Sequence, residues 1–417
     1  MASGLKDGGD GSTLWLIVGG VVTLVIAAIV AFLLNKKKPA AVEAPVVPKK
    51  QPAKKKESKK ATTDAKSAKT AEHPLLLGQL RAHEDEVISM TFSASGTAFA
   101  TLGEDRTVRL YAAKEMTAKD VKPQRINLED HGDLVALSGD GSHLLLVLPL
   151  AVRSIRLFSL KKGKDGKPQA AKVRDIATKH KSEMKSICVA NNNKYFLTCS
   201  ESDTLVSLFN MQGEELTTVD TKKIKNNMAS ISPDSRFFTV GTFTGDVKVA
   251  RCFVLTSAAA RQIYEVATQK GSDSWAFKGV VQAMNLVNGH SSSVNDLSFA
   301  SDTKKLATCS KDGTWKMWNI DVRYAQKEDP KVLYSVKVGK PVEHIALSPD
   351  GSVVVISYEG QLHFYAAADG SPIDSVPRAH YAGERIRSLL WSPDSKFVAS
   401  SAVKDRAVRL WKNPLKA

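Results

Sequence analysis

Asp312-Gly-Thr-Trp-Lys-Met-Trp318 decides the reading of this chain, because the same ending returns three more times. It stands as Asp105-Arg-Thr-Val-Arg-Leu-Tyr111, Asp203-Thr-Leu-Val-Ser-Leu-Phe209 and Asp405-Arg-Ala-Val-Arg-Leu-Trp411. A His lies 22 to 25 residues before each Asp: His83, His180, His290 and His380. Each unit thus predicts a His, two strands, a tight turn carrying the Asp, and a third strand closing on an aromatic. Short strands repeating with a period in the forties build a propeller, one blade per unit.

Weaker units fill the gaps. Residues 128–158 hold His131, an apolar run and the ending Ile155-Arg-Leu-Phe158, without the Asp. Residues 224–250 carry Thr244 where the Asp would sit, and residues 336–365 carry Glu359 six before Tyr365. Phe92-Ser-Ala-Ser-Gly, Ile231-Ser-Pro-Asp-Ser, Leu347-Ser-Pro-Asp-Gly and Trp391-Ser-Pro-Asp-Ser recur as turn formers between strands. The fold expected is all-β, a seven-bladed WD40 β-propeller over residues 74–413, roughly 48 residues per blade. The last unit stops at its third strand. Residues 75–80, Leu-Leu-Leu-Gly-Gln-Leu, are expected to supply the missing fourth and close the ring, which removes an exposed edge.

The repeated polar residues predict a buried network. The His donates to a Ser or Thr hydroxyl and to the turn Asp, and a Trp indole N–H extends the chain. In the fifth unit the members are His290, Thr308 or Ser310, Asp312 and Trp318; in the last, His380, Asp405 and Trp411. Left unpaired, each such group costs about 1–3 kcal/mol. His, Asp and Ser together also suggest a hydrolase. Four copies at one period argue for structure instead, and no enzyme activity, cofactor, metal site or small-molecule substrate is expected. Walker, Rossmann, HExxH, GxSxG and kinase signatures do not occur.

Ahead of the propeller the chain changes character. Residues 1–12 form a short N-terminus. Residues 13–34, TLWLIVGGVVTLVIAAIVAFLL, carry no charge and predict one transmembrane helix, about 33 Å long at 1.5 Å per residue. Residues 35–73 predict a disordered linker with twelve Lys and no Arg, stiffened early by Pro39, Pro45, Pro48 and Pro52. Lys36, Lys37 and Lys38 follow the span directly, so the positive-inside bias places residues 36–417 in the cytosol and the N-terminus in the lumen. The tether fits a spacer that also contacts anionic lipid headgroups. RNA binding fits less well, since no aromatic or Arg is interleaved with the Lys. Cys188, Cys199, Cys252 and Cys309 form no CxxC, and read as small strand residues in a reducing compartment.

Residues 309–333, CSKDGTWKMWNIDVRYAQKEDPKVL, together with the anchor, Thr244-GDVKV and Asp405-RAVRL, resemble the transducin beta-like protein 2 family of membrane-anchored WD40 proteins. The resemblance implies an endoplasmic-reticulum membrane protein with a cytosolic propeller. It also implies a link to stress signalling and translational control through kinase and translation-factor contacts. The chain departs from the family at Ala250, where a Trp would end the blade, and in the long stretch 251–288, which predicts a short helix or a long strand pair.

Three functions compete: a membrane-tethered scaffold for cytosolic proteins, an exchange-factor-like regulator of a small GTPase on the secretory pathway, and an RNA or ribosome tether. Scaffold propellers engage partners at the mouth of the central channel. The repeat alignment places Glu104, Ser202, Lys311 and Lys404 before the turn Asp, and Glu86, Lys185, Asn295 and Arg387 in first strands. These eight form the candidate protein-binding face. Their mixed signs do not suit a nucleic-acid surface.

Overall fold

The computed structural model describes residues 73–416, apart from 119–120, 150–152, 163–167, 246, 254–276, 278, 287–288, 324–327 and 381–383. The expected short N-terminus, membrane span and most of the linker lie outside the described residues. No helix among the described residues is long and apolar enough to cross a membrane.

The described strands form seven four-stranded antiparallel sheets. Blades 1 to 6 each take four successive strands, over residues 87–127, 134–177, 184–220, 226–286, 294–337 and 344–376. Blade 5 is representative: Val294–Phe299, Lys305–Ser310, Thr314–Asn319 and Lys331–Lys337. Blade 7 joins Ile386–Trp391, Phe397–Ala402 and Val408–Lys412 to Leu76–Leu80 from the far end of the propeller sequence. Leu76 faces Trp411, and Leu80 faces Val408. The segment 75–80 thus closes the ring, as its position ahead of His83 suggests.

Burial follows the same plan. Seven apolar clusters each fill the space between two neighbouring blades. The one joining the ends packs Val87, Phe99 and Tyr111 of blade 1 on Phe397, Val408 and Leu410 of blade 7. Second strands are covered on both faces: Tyr195–Ser200 and Phe397–Ala402 are buried at every position, their few hydroxyls included.

One turn recurs in all seven blades between the first and second strands. Its third residue after the turn start has a left-handed φ between 56° and 75°: Gly96, Gly141, Asn193, Ser235, Thr303, Gly351 and Ser395. Each donates its N–H back to the residue three before it, for example Ser235 to Ser232. In the Ser-Pro-Asp turns the Ser232 hydroxyl bonds Asp234 at 2.6 Å and accepts the Phe237 N–H at 2.9 Å. The aromatic slot is equally regular. Trp318 faces Leu306, Trp411 faces Val398, Phe209 faces Phe196, and Ala250 takes the same slot opposite Phe238.

One expectation needs amendment, and one is met in part. Glu359 does not replace the turn Asp. It forms a two-residue hairpin turn with Gly360 between Tyr358 and Gln361, both at positive φ (47° and 72°), and its carboxylate meets Lys340 at 2.9 Å. At the 251–288 stretch, strands Val247–Phe253 and Gly279–Leu286 pair as far as Phe253 opposite Gly279. The expected helix there lies outside the described residues.

Candidate functional site

The turn between second and third strands, the start of each first strand and the loop leading into it share one end of every blade. Antiparallel topology requires this, and a backbone bond marks it. The N–H after the second strand reaches the carbonyl before the first: Glu104 to Glu86, Glu201 to Glu183, Phe243 to Lys225, Lys311 to Ser293 and Val403 to Arg385, all at 2.9 Å.

The His–Asp network ties the leading loop to that turn. In blade 5, His290 Nε2 meets Thr308 Oγ1 at 2.8 Å, Nδ1 meets Asp312 at 3.2 Å, and Trp318 donates its indole N–H to Thr308 at 2.9 Å. Thr308, not Ser310, is therefore the hydroxyl; Ser310 bonds the Ser292 carbonyl instead. In blade 7 the distances are 2.8 Å from His380 to Ser400, 2.7 Å to Asp405, and 2.8 Å from Trp411 to Ser400. In blade 1, His83 joins Thr101 at 2.8 Å and Asp105 at 3.0 Å, and Tyr111 fills the aromatic slot with its phenol on Thr101.

Blade 3 is the short version. His180 reaches Thr198 at 2.8 Å, but Nδ1 stands 3.5 Å from Asp203, and Phe209 has no donor. The spacing explains it. Asp203 follows Ser200 by three residues, whereas Asp312 follows Ser310 by two; the carboxylate keeps the Lys181 N–H at 2.8 Å, as Asp312 keeps that of Ser291, and stands farther from the imidazole. Blade 7 has the long turn too, yet its His380 lies six residues before Ile386 rather than four, and contact is restored.

Burial drives all four imidazoles toward the neutral form, lowering their pKa against the pull of the Asp charge. With Nδ1–H donated to the Asp, Nε2 accepts the hydroxyl proton and the hydroxyl accepts the indole N–H. Burial acts to raise the carboxyls, but hydrogen bonds outweigh it. Asp312 receives Thr314 and the Ser291 N–H, and Asp105 the Glu84 N–H and Thr107, so both lie below the usual carboxylate value. Asp–His–hydroxyl is also the order of a hydrolytic triad. Here the hydroxyl oxygens of Thr308 and Ser400 have no exposure and already hold a Trp N–H. A nucleophile must come within about 3–3.5 Å of its substrate, and this packing prevents that approach. The cysteines are equally withdrawn: burial raises the thiol pKa of Cys199 and Cys309, and that of Cys188 to about 12.

The eight candidate surface residues all fall at the network end, though not at equivalent positions. First strands in five blades carry a bulge, whose occupants are Ile88, Lys185, Asn227, Asn295 and Arg387. Glu86 lies two residues before its bulge, so the slot assigned to it belongs to Ile88. Ser202 and Lys404 sit one residue beyond the slot of Glu104 and Lys311, because their turns are longer. Several are staples between blades. Asn295 donates to the Val342 carbonyl at 2.7 Å, Arg387 pairs with Glu86, and Glu104 lies 3.5 Å from His131. Lys185 meets Glu183 at 2.8 Å. Ser202, Lys311 and Lys404 remain exposed at the rim. Sequence reasoning missed the bulge residue Asn227, which reaches the Val294 carbonyl at 2.6 Å; a matching Asn at Asn295 was the available signal.

The WD domain, G-beta repeat family matches residues 75–112, 282–319 and 370–412. Transducin beta-like protein 2 of Homo sapiens is 34% identical over 350 residues, covering 82% of this chain and 72% of that protein. The Mus musculus protein of the same name is 34% identical over 349 residues, 82% and 73% of the two chains. Apoptotic protease-activating factor 1 of Rattus norvegicus is 21% identical over 345 residues, 77% of this chain and 26% of that protein.

Proposed function

The chain belongs to the transducin beta-like protein 2 family, and from that premise we propose that it is a membrane-anchored scaffold presenting a propeller to cytosolic proteins. The observation that carries this reading is the division of labour within each full blade. The polar repeat residues are spent on fixing loop to strand, and charged side chains outside that network are left at the rim of the same end. Interfaces concentrate their energy in a few central residues of such a surface. The uncharged span at 13–34 and its Lys-rich flank support anchoring with the propeller in the cytosol. We place it at the endoplasmic reticulum, in stress signalling or translational control, with a kinase or translation factors as partners and lipid headgroups meeting the tether.

The test uses the full chain solubilised from membranes. Lys311→Glu, Lys404→Glu and Arg387→Gln together should leave the melting temperature within a few degrees and release most co-purifying protein. Retention of the same partners, with their release on deleting residues 36–70, would move the binding site from the propeller to the tether.

A further inference from the structure

Blade 4, like blades 2 and 6, lacks the His–Asp clamp, and it differs from them in the large apolar side chains it exposes at this end. Lys222 stands four residues before its first strand, where blades 1, 3 and 5 have His83, His180 and His290. Thr244 stands where they have the Asp. Neither clamp residue is present, and the groups that remain satisfy one another locally. Thr242 bonds Thr244 at 2.8 Å, and Thr221 bonds Asn226 at 2.8 Å. No imidazole draws the leading loop inward, and it turns an aliphatic side chain outward: Ile224 is 74% exposed. The turn beside it presents Phe243, 52% exposed, and its N–H is bonded to the carbonyl of Lys225 at 2.9 Å. Five other large apolar side chains are exposed among the described residues. Four lie on outer fourth strands and one near the C-terminus, so this pair alone occupies the network end.

The loop is held in shape despite the missing clamp. Lys222 has a left-handed φ of 51°, and its N–H meets the Asp220 carboxylate at 2.8 Å. Lys222, Lys223 and Lys225 flank Ile224 in sequence, against Glu201, which pairs with Lys225, and Asp220, which holds the Lys222 N–H. An apolar pair at a loop with three Lys against two acids calls for a complement of apolar side chain and acid.

We propose that Ile224 and Phe243 form the anchor point for a peptide segment of a partner protein, one carrying an aliphatic or aromatic side chain flanked by Asp or Glu. This rests on the scaffold reading above and names the blade that does the holding. A protein segment suits the site better than a bilayer. A peptide contacts the blade 4 sector alone, whereas an anionic membrane laid on this end would also meet exposed Glu183 of the adjacent blade 3 and Glu104 of blade 1.

The experiment selects random short displayed peptides on the full chain in detergent micelles. Enriched peptides should pair an apolar residue with acids. Their affinity should fall about tenfold or more on Ile224→Asp/Phe243→Asp and on Lys222→Glu/Lys223→Glu. It should hold on Val332→Asp/Leu333→Asp, an exposed apolar pair on the outer strand of blade 5. Melting curves of each variant separate lost binding from lost fold. Peptides indifferent to the blade 4 changes but sensitive to Lys311 and Lys404 would overturn this inference and leave the scaffold reading intact. Failure to enrich any peptide would count against both. If the blade 4 changes instead abolish flotation with phosphatidylserine vesicles and spare peptide binding, the site is a membrane contact and the proposal falls.

Discussion

Asp312 shows what the repeated residues are for. Its carboxylate takes the Ser291 N–H at 2.9 Å, the Thr314 hydroxyl at 2.7 Å and His290 at 3.2 Å. Asp312→Ala strips all three, and its expected cost is on the order of 1–3 kcal/mol in urea unfolding. Asp203→Ala should cost less, because His180 is already 3.5 Å away. Equal losses would contradict that ranking, and a stable Asp312→Ala chain that had lost an activity would contradict the structural role. Acid should weaken the fold for the same reason. The four buried His have folded pKa values below 6.5, so from about pH 6.5 downward the unfolded chain binds protons that the folded chain does not. Stability present at pH 7 is therefore lost as pH falls toward the folded values. Near and below 3.8 the depressed carboxyls of Asp105, Asp312 and Asp405 add a loss of the same sign. Urea midpoints measured between about pH 7 and pH 5 should fall steadily; a flat profile would contradict buried neutral imidazoles. His and Asp were legible because their spacing repeats. The hydroxyl was not, since Thr308 and Ser310 lie on the same face of one strand, and only the reach of His290 chooses between them.

At the scale of the element, the closing strand has most at stake. Leu76–Leu80 supplies the fourth strand of blade 7, and Leu80 packs on Val87 and Val408 in the cluster that joins the two ends. Deleting residues 74–80 from the full chain should open the last blade along Val408–Lys412, lower the melting temperature and promote association through the bared edge. Unchanged melting and unchanged elution volume would contradict closure by this segment. The blade count was readable because the turn formers persist where the His and Asp do not, and the closing aromatic persists in two of those three blades, at Phe158 and Tyr365 but not at Ala250. All seven blades keep the same left-handed turn residue, four of them without the help of Gly. Register within the surface loops was less readable. A single extra residue between Ser200 and Asp203 leaves the motif intact in sequence yet moves Ser202 out of line with Glu104. Bulges add one residue without a mark, which is how Ile88 was missed in favour of Glu86.

Across the whole molecule, charge and hydropathy divide the chain before any contact is considered. The net charge is +16, and from residue 36 to residue 70 twelve Lys stand against Glu43, Glu57 and Asp64. That excess follows the uncharged span at 13–34 directly, and the propeller follows the tether. A ring of blades closed on itself needs no support from a membrane to fold. In the reading proposed above, the uncharged span would serve placement rather than folding. Pattern and charge bias carry no record of a partner, because the surface at the network end is shaped by loop lengths and bulges that the repeat does not mark. The central claim, a tethered propeller facing the cytosol, is tested most directly by adding protease to sealed microsomes that contain the full chain, tagged at its N-terminus. The account predicts that the propeller is digested without detergent while the N-terminal tag survives. Full protection of the propeller until detergent is added would contradict it.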